Sequence, residues 1–425
     1  MNTDIFTQLE SNVRSYCRHF PAIFSKAKGS ILYTESGQRY IDFLAGAGAL
    51  NYGHNNEQLK QQLINYLKDD FISHGLDLYT VAKGSFLTAF NQHILKPKNL
   101  NYKIQFCGPT GTNAVEAALK LARKVTGRSG IFAFMGGFHG MTLGSLAATA
   151  NKYHRAAAGV PLGNITFMPY PYGFMSRFDS IEYIETVLQD THSGIEKPAA
   201  IIVETIQAEG GVIVAPIDWL CRLKSLCTKH NILFICDDIQ VGCGRTGTFF
   251  SFERANIEPD IVILSKSISG YGLPFALVLH KPNWDLWQPA EHNGTFRGNQ
   301  LAFVTAKAAL DHYWSNNYFE QEIKQKENDI STFMKMEIQP LSPLIKIRGL
   351  GLIWGIDLSG FDNPDLGSQV IRDCFDSGLI IELAGRNDQV IKLLPPLNIE
   401  KELLKEGCSI LKRALTNIIQ SYANQ

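Results

Sequence analysis

The sequence predicts an α/β fold, in which a mostly parallel central sheet forms a large domain and both chain ends build a smaller α+β domain. Between Lys103 and about Leu279, short apolar runs alternate with amphipathic segments. Apolar strands separated by helices form a sheet that is buried on both faces. Outside this region strands and helices are grouped rather than alternating, which is typical of an α+β domain.

Hydrophobic periodicity predicts the individual elements of the first three quarters of the chain. Residues Gly29–Phe43 alternate apolar and polar side chains around Ser36-Gly37, which predicts a hairpin. Helical spacing predicts helices at about residues 56–70 and 81–95. The strands predicted for the large domain are KIQF, GIFAF, AAIIVET, ILFICD, DIVILS and PFALVLH, with intervening helices that begin at about Asn113 and Asp218.

The C-terminal part is predicted to continue with helices after about residue 310. It then contains a strand-like GLGLIWGIDL, a helix that ends at Gly378, and the strand pair GLIIEL and VIKLLP. These assignments divide the chain into an N-terminal part of the small domain (1–55), a large domain (56–310) and a C-terminal part of the small domain (311–425).

Composition excludes several classes of protein. The 40 Lys and Arg balance the 40 Asp and Glu, so the chain has no basic excess of the kind that binds nucleic acid or a membrane surface. The N-terminal residues carry mixed charge without an apolar core, and no run of about 18 apolar residues occurs, so neither a signal peptide nor a membrane span is expected. The eight scattered cysteines favour reduced thiols in a cytoplasm, and no metal site is expected.

Two predicted strands of the large domain end in charged residues. Lys266 follows the strand Asp260–Ser265, and Asp237 follows ILFIC. Ligands of open α/β sheets bind beyond the strand ends, so both side chains could reach a pocket. Asp238 directly follows Asp237, and two adjacent acids after a buried strand are costly to desolvate unless a positive group awaits them. The alternatives are a solvated loop lysine and a turn or N-cap aspartate.

The segment Gly108–Asn113 is predicted to open a helix over Ala114–Val125. The free N–H groups and the dipole at such a helix start attract an anion. Simple capping by Thr112 or Asn113 is the alternative.

A second glycine-rich segment, Gly136–Gly140, holds Phe138 and His139 in a turn. An exposed Phe in such a turn can stack on a flat ligand, or it can pack into a neighbouring core. Ile239 could cover the opposite face of the ligand.

Together these groups match what pyridoxal 5′-phosphate (PLP) requires of a protein. A lysine bonds to its aldehyde, a carboxylate keeps its pyridine nitrogen protonated, backbone donors hold its phosphate, and apolar groups clamp its ring. The sequence therefore predicts a PLP site at the strand ends of the large domain.

The same segments, in the same order, resemble the class III (fold-type I) PLP-dependent aminotransferases over nearly the whole chain. The matching segments are TGTNAVEAALKLAR, GGFHG, VETIQAEGG, LFICDDIQVGCGRTG, PDIVILSKSISGYGLP and GTFRGN. The resemblance is closer still to the diaminobutyrate–2-oxoglutarate aminotransferases of ectoine biosynthesis, through FLAGAGALNYGHNN, HGLDL, GVPLGN and NGTFRGNQLAF. It implies the PLP-dependent transferase fold of type I.

The resemblance also implies roles for the matching residues. Lys266 would carry the cofactor as a Schiff base, and Asp237 would pair with the pyridine nitrogen. The other implied cofactor contacts are Gln240 at the ring hydroxyl, Phe138 and Ile239 on the ring faces, His139 in the aromatic turn, Gly111 and Thr112 at the phosphate, and Thr295 at the phosphate of a neighbouring subunit's cofactor. The last contact implies a homodimer or higher oligomer with shared active sites.

The reaction implied by the resemblance is a ping-pong exchange of an amino group. L-2,4-diaminobutyrate and 2-oxoglutarate would interconvert with L-aspartate 4-semialdehyde and L-glutamate. Another ω-aminotransferase, of the ornithine or 4-aminobutyrate type, stays open as an alternative, as does a racemase or decarboxylase on the same fold.

Lys392 departs from the wider class, which commonly has an arginine at this position to bind the α-carboxylate of glutamate. Lysine lacks the bidentate fork of arginine. Glu209 matches the acid that neutralises this cation when an ω-amine is bound. We hypothesise that Glu209 and Lys392 form a substrate switch; the alternatives are a structural ion pair or two unrelated surface charges.

Overall fold

The computed structural model describes residues 3–173 and 177–423, so the outermost residues of the predicted domain ranges (1–2 and 424–425) lie outside the described residues. The strands are β1 Phe24–Lys28, β2 Ile31–Thr34, β3 Arg39–Asp42, β4 Lys103–Phe106, β5 Ile131–Phe134, β6 Ile165–Met168, β7 Ala200–Val203, β8 Ile206–Gln207, β9 Ile213–Val214, β10 Leu233–Asp237, β11 Ile261–Ser265, β12 Ala276–His280, β13 Lys346–Leu350, β14 Ile353–Asp357, β15 Leu379–Ile380, β16 Glu382–Ala384 and β17 Val390–Leu393.

Seven strands form the central sheet in the order β4-β12-β11-β10-β7-β5-β6. Its pairs are parallel except those that β12 makes with β11 and β4. The predicted α/β class and mostly parallel sheet are therefore confirmed. Successive strand residues face opposite sides: Phe234 and Cys236 belong to one apolar cluster, Leu233 and Ile235 to the other. Burial on both faces explains why these strands are continuous apolar runs.

The helical segments, including a four-residue turn at α3, are α1 Asp4–Leu9, α2 Tyr16–His19, α3 Ala45–Gly48, α4 Glu57–Lys68, α5 Val81–Phe90, α6 Gly111–Thr126, α7 Leu143–Ala148, α8 Lys152–Ala156, α9 Ser180–Gln189, α10 Ile217–Lys229, α11 Gln300–Tyr313, α12 Tyr318–Phe333, α13 Leu366–Asp376 and α14 Lys401–Ala423. The helices predicted near residues 56–70 and 81–95 correspond to α4 and α5. Within the described residues, no helix is long and apolar enough to cross a membrane.

Two smaller four-stranded sheets flank the central one, in the orders β1-β2-β3-β15 and β13-β14-β17-β16. The predicted hairpin at Gly29–Phe43 is confirmed as the antiparallel pair β2–β3. The pairing of β15 with β3 joins the C-terminal part of the chain to this hairpin. The domain boundaries at residues 55/56 and 310/311 stay a prediction.

Two predicted C-terminal strands are wrong in detail. GLGLIWGIDL is not one strand, because the chain turns at Gly351 between β13 and β14. GLIIEL is divided between two sheets: β15 pairs with β3, while β16 pairs with β17. An uninterrupted apolar run does not reveal that a strand changes sheet, because both halves are buried.

Candidate active site

A cavity of about 170 Å³ lies at the carboxyl edge of the central sheet. Asp237 ends β10 and Lys266 follows the neighbouring parallel strand β11, so the sheet brings both residues to the same edge. Nine of the predicted site residues line the cavity: Gly111, Thr112, Phe138, His139, Glu209, Asp237, Ile239, Gln240 and Lys266.

Lys266 has a left-handed backbone conformation (φ 52°), which is uncommon for a residue with a side chain. Its Nζ donates a hydrogen bond of 2.8 Å to the carbonyl oxygen of Ala47. That carbonyl lies in α3, where Ala45 and Ala47 also have positive φ angles of 48° and 54°. Backbone strain of this kind persists where the surrounding structure imposes it, often at functional sites. Burial lowers the pKa of Lys266, which favours the neutral, nucleophilic amine.

Asp237 forms a buried pair with His139, with 2.7 Å between Asp237 Oδ2 and His139 Nδ1. Burial alone would lower the pKa of His139, but the hydrogen bond to Asp237 and its charge prevail and raise it. Asp237 Oδ1 accepts a hydrogen bond from the backbone N–H of Ile239 at 3.2 Å. These contacts orient the Asp237 carboxylate in the cavity, where it can pair with a protonated pyridine nitrogen.

The start of α6 borders the cavity at Gly111. Thr110 is its N-cap and its hydroxyl accepts from Asn113 N–H, so the helix begins earlier than predicted and neither Thr112 nor Asn113 is the cap. Thr112 instead hydrogen-bonds Thr142 and Ser145 through its hydroxyl. A Cβ at position 111 would lie 3.0 Å from Ile239 Cδ1, so Ile239 would have to shift to admit a larger residue at this helix start.

Gln240 lies on the cavity wall beside Ile239. Its Nε2 donates to Ala47 O and to Glu209 Oε1, both at 3.0 Å. Its Oε1 is buried without a hydrogen-bond partner. An orphaned polar atom in the wall of a cavity indicates that a polar ligand group completes the site. Together with the Asp237 carboxylate, this orphaned atom shows that the residues present fit PLP.

Glu204 was not predicted to line the cavity, yet it does. It is buried, and its Oε1 accepts from the backbone N–H of Phe138 at 2.9 Å, so it fixes the turn that carries this aromatic ring. Burial raises the pKa of Glu204 to about 7.

Lys392 lies in β17 with a fully buried side chain, and two carboxylates contact it. Its Nζ is 2.6 Å from Glu209 Oε1 and 3.1 Å from Glu382 Oε1. Although burial opposes the shift, the charges of Lys392 and Lys266 lower the pKa of Glu209 to about 2. The hypothesised pair of Glu209 and Lys392 therefore exists as an ion pair, and the alternative of unrelated surface charges is excluded.

One signal in the sequence points to Glu382, which is a lone acid within the apolar run GLIIEL. An acid among buried residues needs a counter-charge. No sequence signal could reveal that the Ala47 carbonyl accepts from Lys266, because a residue of any type has a backbone carbonyl.

Thr295 is exposed and does not line the cavity of its own chain. Its predicted contact with a neighbouring subunit's cofactor stays a prediction.

Comparison with known proteins gives a consistent result. The aminotransferase class III family profile matches residues 13–415. A diaminobutyrate–2-oxoglutarate transaminase of Bordetella parapertussis is 53% identical over 99% of this chain and 96% of its own length. One of Vibrio parahaemolyticus is 52% identical, covering 99% of each chain.

Solved structures show the same fold at low sequence identity. The ornithine aminotransferase of Toxoplasma gondii superimposes with a TM-score of 0.85 at 23% identity, covering 99% of this chain and 94% of that one. An S-selective transaminase from Arthrobacter sp. gives 0.88 at 20% identity over 99% of each chain.

Proposed function

We propose that this chain, which belongs to the class III aminotransferase family, moves the terminal amino group of L-2,4-diaminobutyrate to 2-oxoglutarate. The products are L-aspartate 4-semialdehyde and L-glutamate, and the reaction is reversible. The observation that carries the proposal is one cavity lined by Lys266 and Asp237 at adjacent strand ends and by Glu209, which forms an ion pair with the buried Lys392. The diaminobutyrate–2-oxoglutarate transaminases that match at about half of all positions support the choice of substrates.

PLP supplies an electron sink that stabilises the carbanion left when the substrate's reacting carbon loses a proton. Lys266 would hold the cofactor through its Nζ. The same Nζ would take and return the proton of the substrate's reacting carbon. The lowered pKa of Lys266 suits this role, because a neutral amine is needed to accept the proton.

Asp237 would pair with the pyridine nitrogen of the cofactor and hold a proton on it. His139 Nδ1 lies 2.7 Å from Asp237 Oδ2 and orients this carboxylate. Phe138 and Ile239 would cover the two ring faces, Gln240 would meet the ring hydroxyl, and Gly111 and Thr112 would bind the phosphate at the start of α6.

Glu209 and Lys392 would let one cavity accept two kinds of substrate. Glutamate reacts at a carbon that carries a carboxylate, whereas diaminobutyrate reacts at a carbon that carries none. When glutamate or 2-oxoglutarate binds, its carboxylate replaces Glu209 on Lys392. When diaminobutyrate binds, Glu209 returns and neutralises the cation.

We also propose a homodimer with shared active sites, acting in the cytoplasm. An exposed apolar stretch at residues 71–81 includes Leu78, Tyr79 and Val81, and Phe296 next to Thr295 is exposed as well. Such a patch favours association with a second copy. All eight cysteines are free thiols, which fits a reducing compartment. Light scattering and cell fractionation test these proposals.

An absorbance titration of the purified holoenzyme tests the function. Diaminobutyrate should bleach the visible band of the bound cofactor, and 2-oxoglutarate should restore it. Ornithine and 4-aminobutyrate serve as competing amines, and faster bleaching by either would overturn the choice of substrate. A wild-type protein without a visible band would overturn the cofactor assignment.

A further inference from the structure

We infer that Glu382 is the fixed counter-ion of Lys392 and a residue that determines specificity, because it biases the cavity toward substrates whose reacting carbon carries no carboxylate. The inference rests on the proposed function and adds a residue to the Glu209–Lys392 pair.

Glu382 is placed by sheet register. It lies in β16 directly across from Lys392 in the antiparallel partner strand β17. On the other side of Lys392 the cross-strand neighbour is Gly355, which has no side chain to compete for the ammonium group. Directly opposed side chains of an antiparallel pair are close neighbours, and here they carry opposite charges.

The two acids on Lys392 differ in how firmly they are held. Glu382 has 9% of its side chain exposed and belongs to a strand, whereas Glu209 has 31% exposed and lies in the turn between β8 and β9. Gln240 Nε2 also contacts Glu209, so the Glu209 side chain retains a partner when it leaves Lys392. Glu209 is therefore the movable partner and Glu382 the permanent one.

The backbone of Glu209 is itself fixed, since its carbonyl accepts from Gly385 N–H at 2.9 Å. Its side chain can leave Lys392 but not the surroundings of the cavity. When a substrate carboxylate binds Lys392, three carboxylates therefore surround one buried cation: that of the substrate, Glu209 and Glu382. The excess negative charge weakens carboxylate binding and favours a cationic amine.

Glu382→Gln removes the charge and keeps an oxygen that can accept from Lys392. In the holoenzyme, we expect this variant to bind glutarate, a dicarboxylate that cannot react, about three- to tenfold more tightly by calorimetry. Single-turnover kcat/KM should rise by a similar factor for glutamate and stay equal or fall for diaminobutyrate.

Two further variants make the test specific. Glu382→Asp retains the charge and should keep the ratio of the two half-reactions within about twofold of wild type. Asp357→Asn breaks another buried ion pair of the same sheet, with Arg348, and should leave both glutarate affinity and the ratio unchanged. Thermal melting of all three variants separates loss of folding from loss of specificity.

The inference is overturned if Glu382→Gln slows both half-reactions equally, if glutarate affinity does not change, or if Glu382→Asp shifts the ratio as much as Glu382→Gln does. If wild-type enzyme does not react with diaminobutyrate, the proposed function fails. Glutarate binding still reports on Glu382 in that case.

Discussion

At the cofactor end of the cavity Asp237 has one ion-pair partner, whereas at the substrate end Lys392 is shared between two acids. Asp237 pairs with His139, and both are buried. Lys392 contacts Glu209 and Glu382 at once. In the proposed function the cofactor end would perform the same proton transfers in both half-reactions, and one buried pair suffices there. In the proposed function the substrate end must accept substrates with and without a carboxylate at the reacting carbon. Because Lys392 has two acids for one positive charge, one acid can leave when a substrate carboxylate binds.

The largest effect that this comparison predicts concerns the cofactor end. Lys266→Ala should reduce both half-reactions by about 10⁴-fold or more, because no other group replaces the covalent lysine and proton carrier. Single-turnover kinetics with each substrate measure the loss. Circular dichroism should be unchanged, and equal activity in both proteins would refute the role of Lys266.

Asp237→Asn should reduce both half-reactions by about 10³-fold, because a neutral amide cannot hold the proton on the pyridine nitrogen. For His139→Asn we expect a smaller loss of rate, about 10- to 100-fold, as is typical for a residue that orients another. Steady-state rates with both substrates measure these losses. A larger loss for His139→Asn than for Asp237→Asn would contradict this order of roles.

At the substrate end, the losses should be unequal between the two half-reactions. Lys392→Ala should reduce kcat/KM for glutamate by about 100-fold and affect diaminobutyrate less, because only glutamate presents a carboxylate to this position. Glu209→Gln is the reciprocal variant and should impair the diaminobutyrate half more. If Lys392→Ala affects glutamate no more than diaminobutyrate, the two residues are a structural ion pair.

The smallest effect concerns stability at the cofactor end. Because the pKa of Glu204 is raised to about 7, the folded protein keeps a proton that the unfolded chain releases near pH 4.5, and stability falls as pH rises through this window. Urea denaturation should show that Glu204→Gln gains on the order of 2 kcal/mol relative to wild type between pH 5 and pH 8. Glu402→Gln, on an exposed position of α14, is the control and should keep the wild-type pH profile.

The cofactor end was largely predictable from the sequence. Lys266 and Asp237 each follow an apolar strand, and the carboxyl ends of parallel strands meet at one edge. Glycine-rich turns mark the helix start at Gly111 and the aromatic turn at Phe138. These signals are local, so a single segment suffices to recognise each of them.

The substrate end depended on the tertiary structure. The sequence suggested that Glu209 and Lys392 interact only through resemblance to a family, and it gave no partner for Glu382. Their contact requires a turn after β8 to meet β17, and a run of apolar residues to divide between two sheets at Ile381. Glu382 and Lys392 are close in sequence, and their contact depends on the register of the β16–β17 pair, which the hydrophobic pattern and the connecting turn set together.

The sequence by itself therefore determined the α/β class, the strand ends that carry Lys266 and Asp237, and the glycine turns around the cavity, because hydrophobic period and turn chemistry act over a few residues. Only the tertiary structure decided which acids share Lys392, that Ala47 presents its carbonyl to Lys266, and that Glu204 holds the Phe138 turn. Most of those contacts join residues far apart in the chain, whereas Glu382 meets Lys392 across the neighbouring strands β16 and β17, and burial makes each contact costly to leave unpaired.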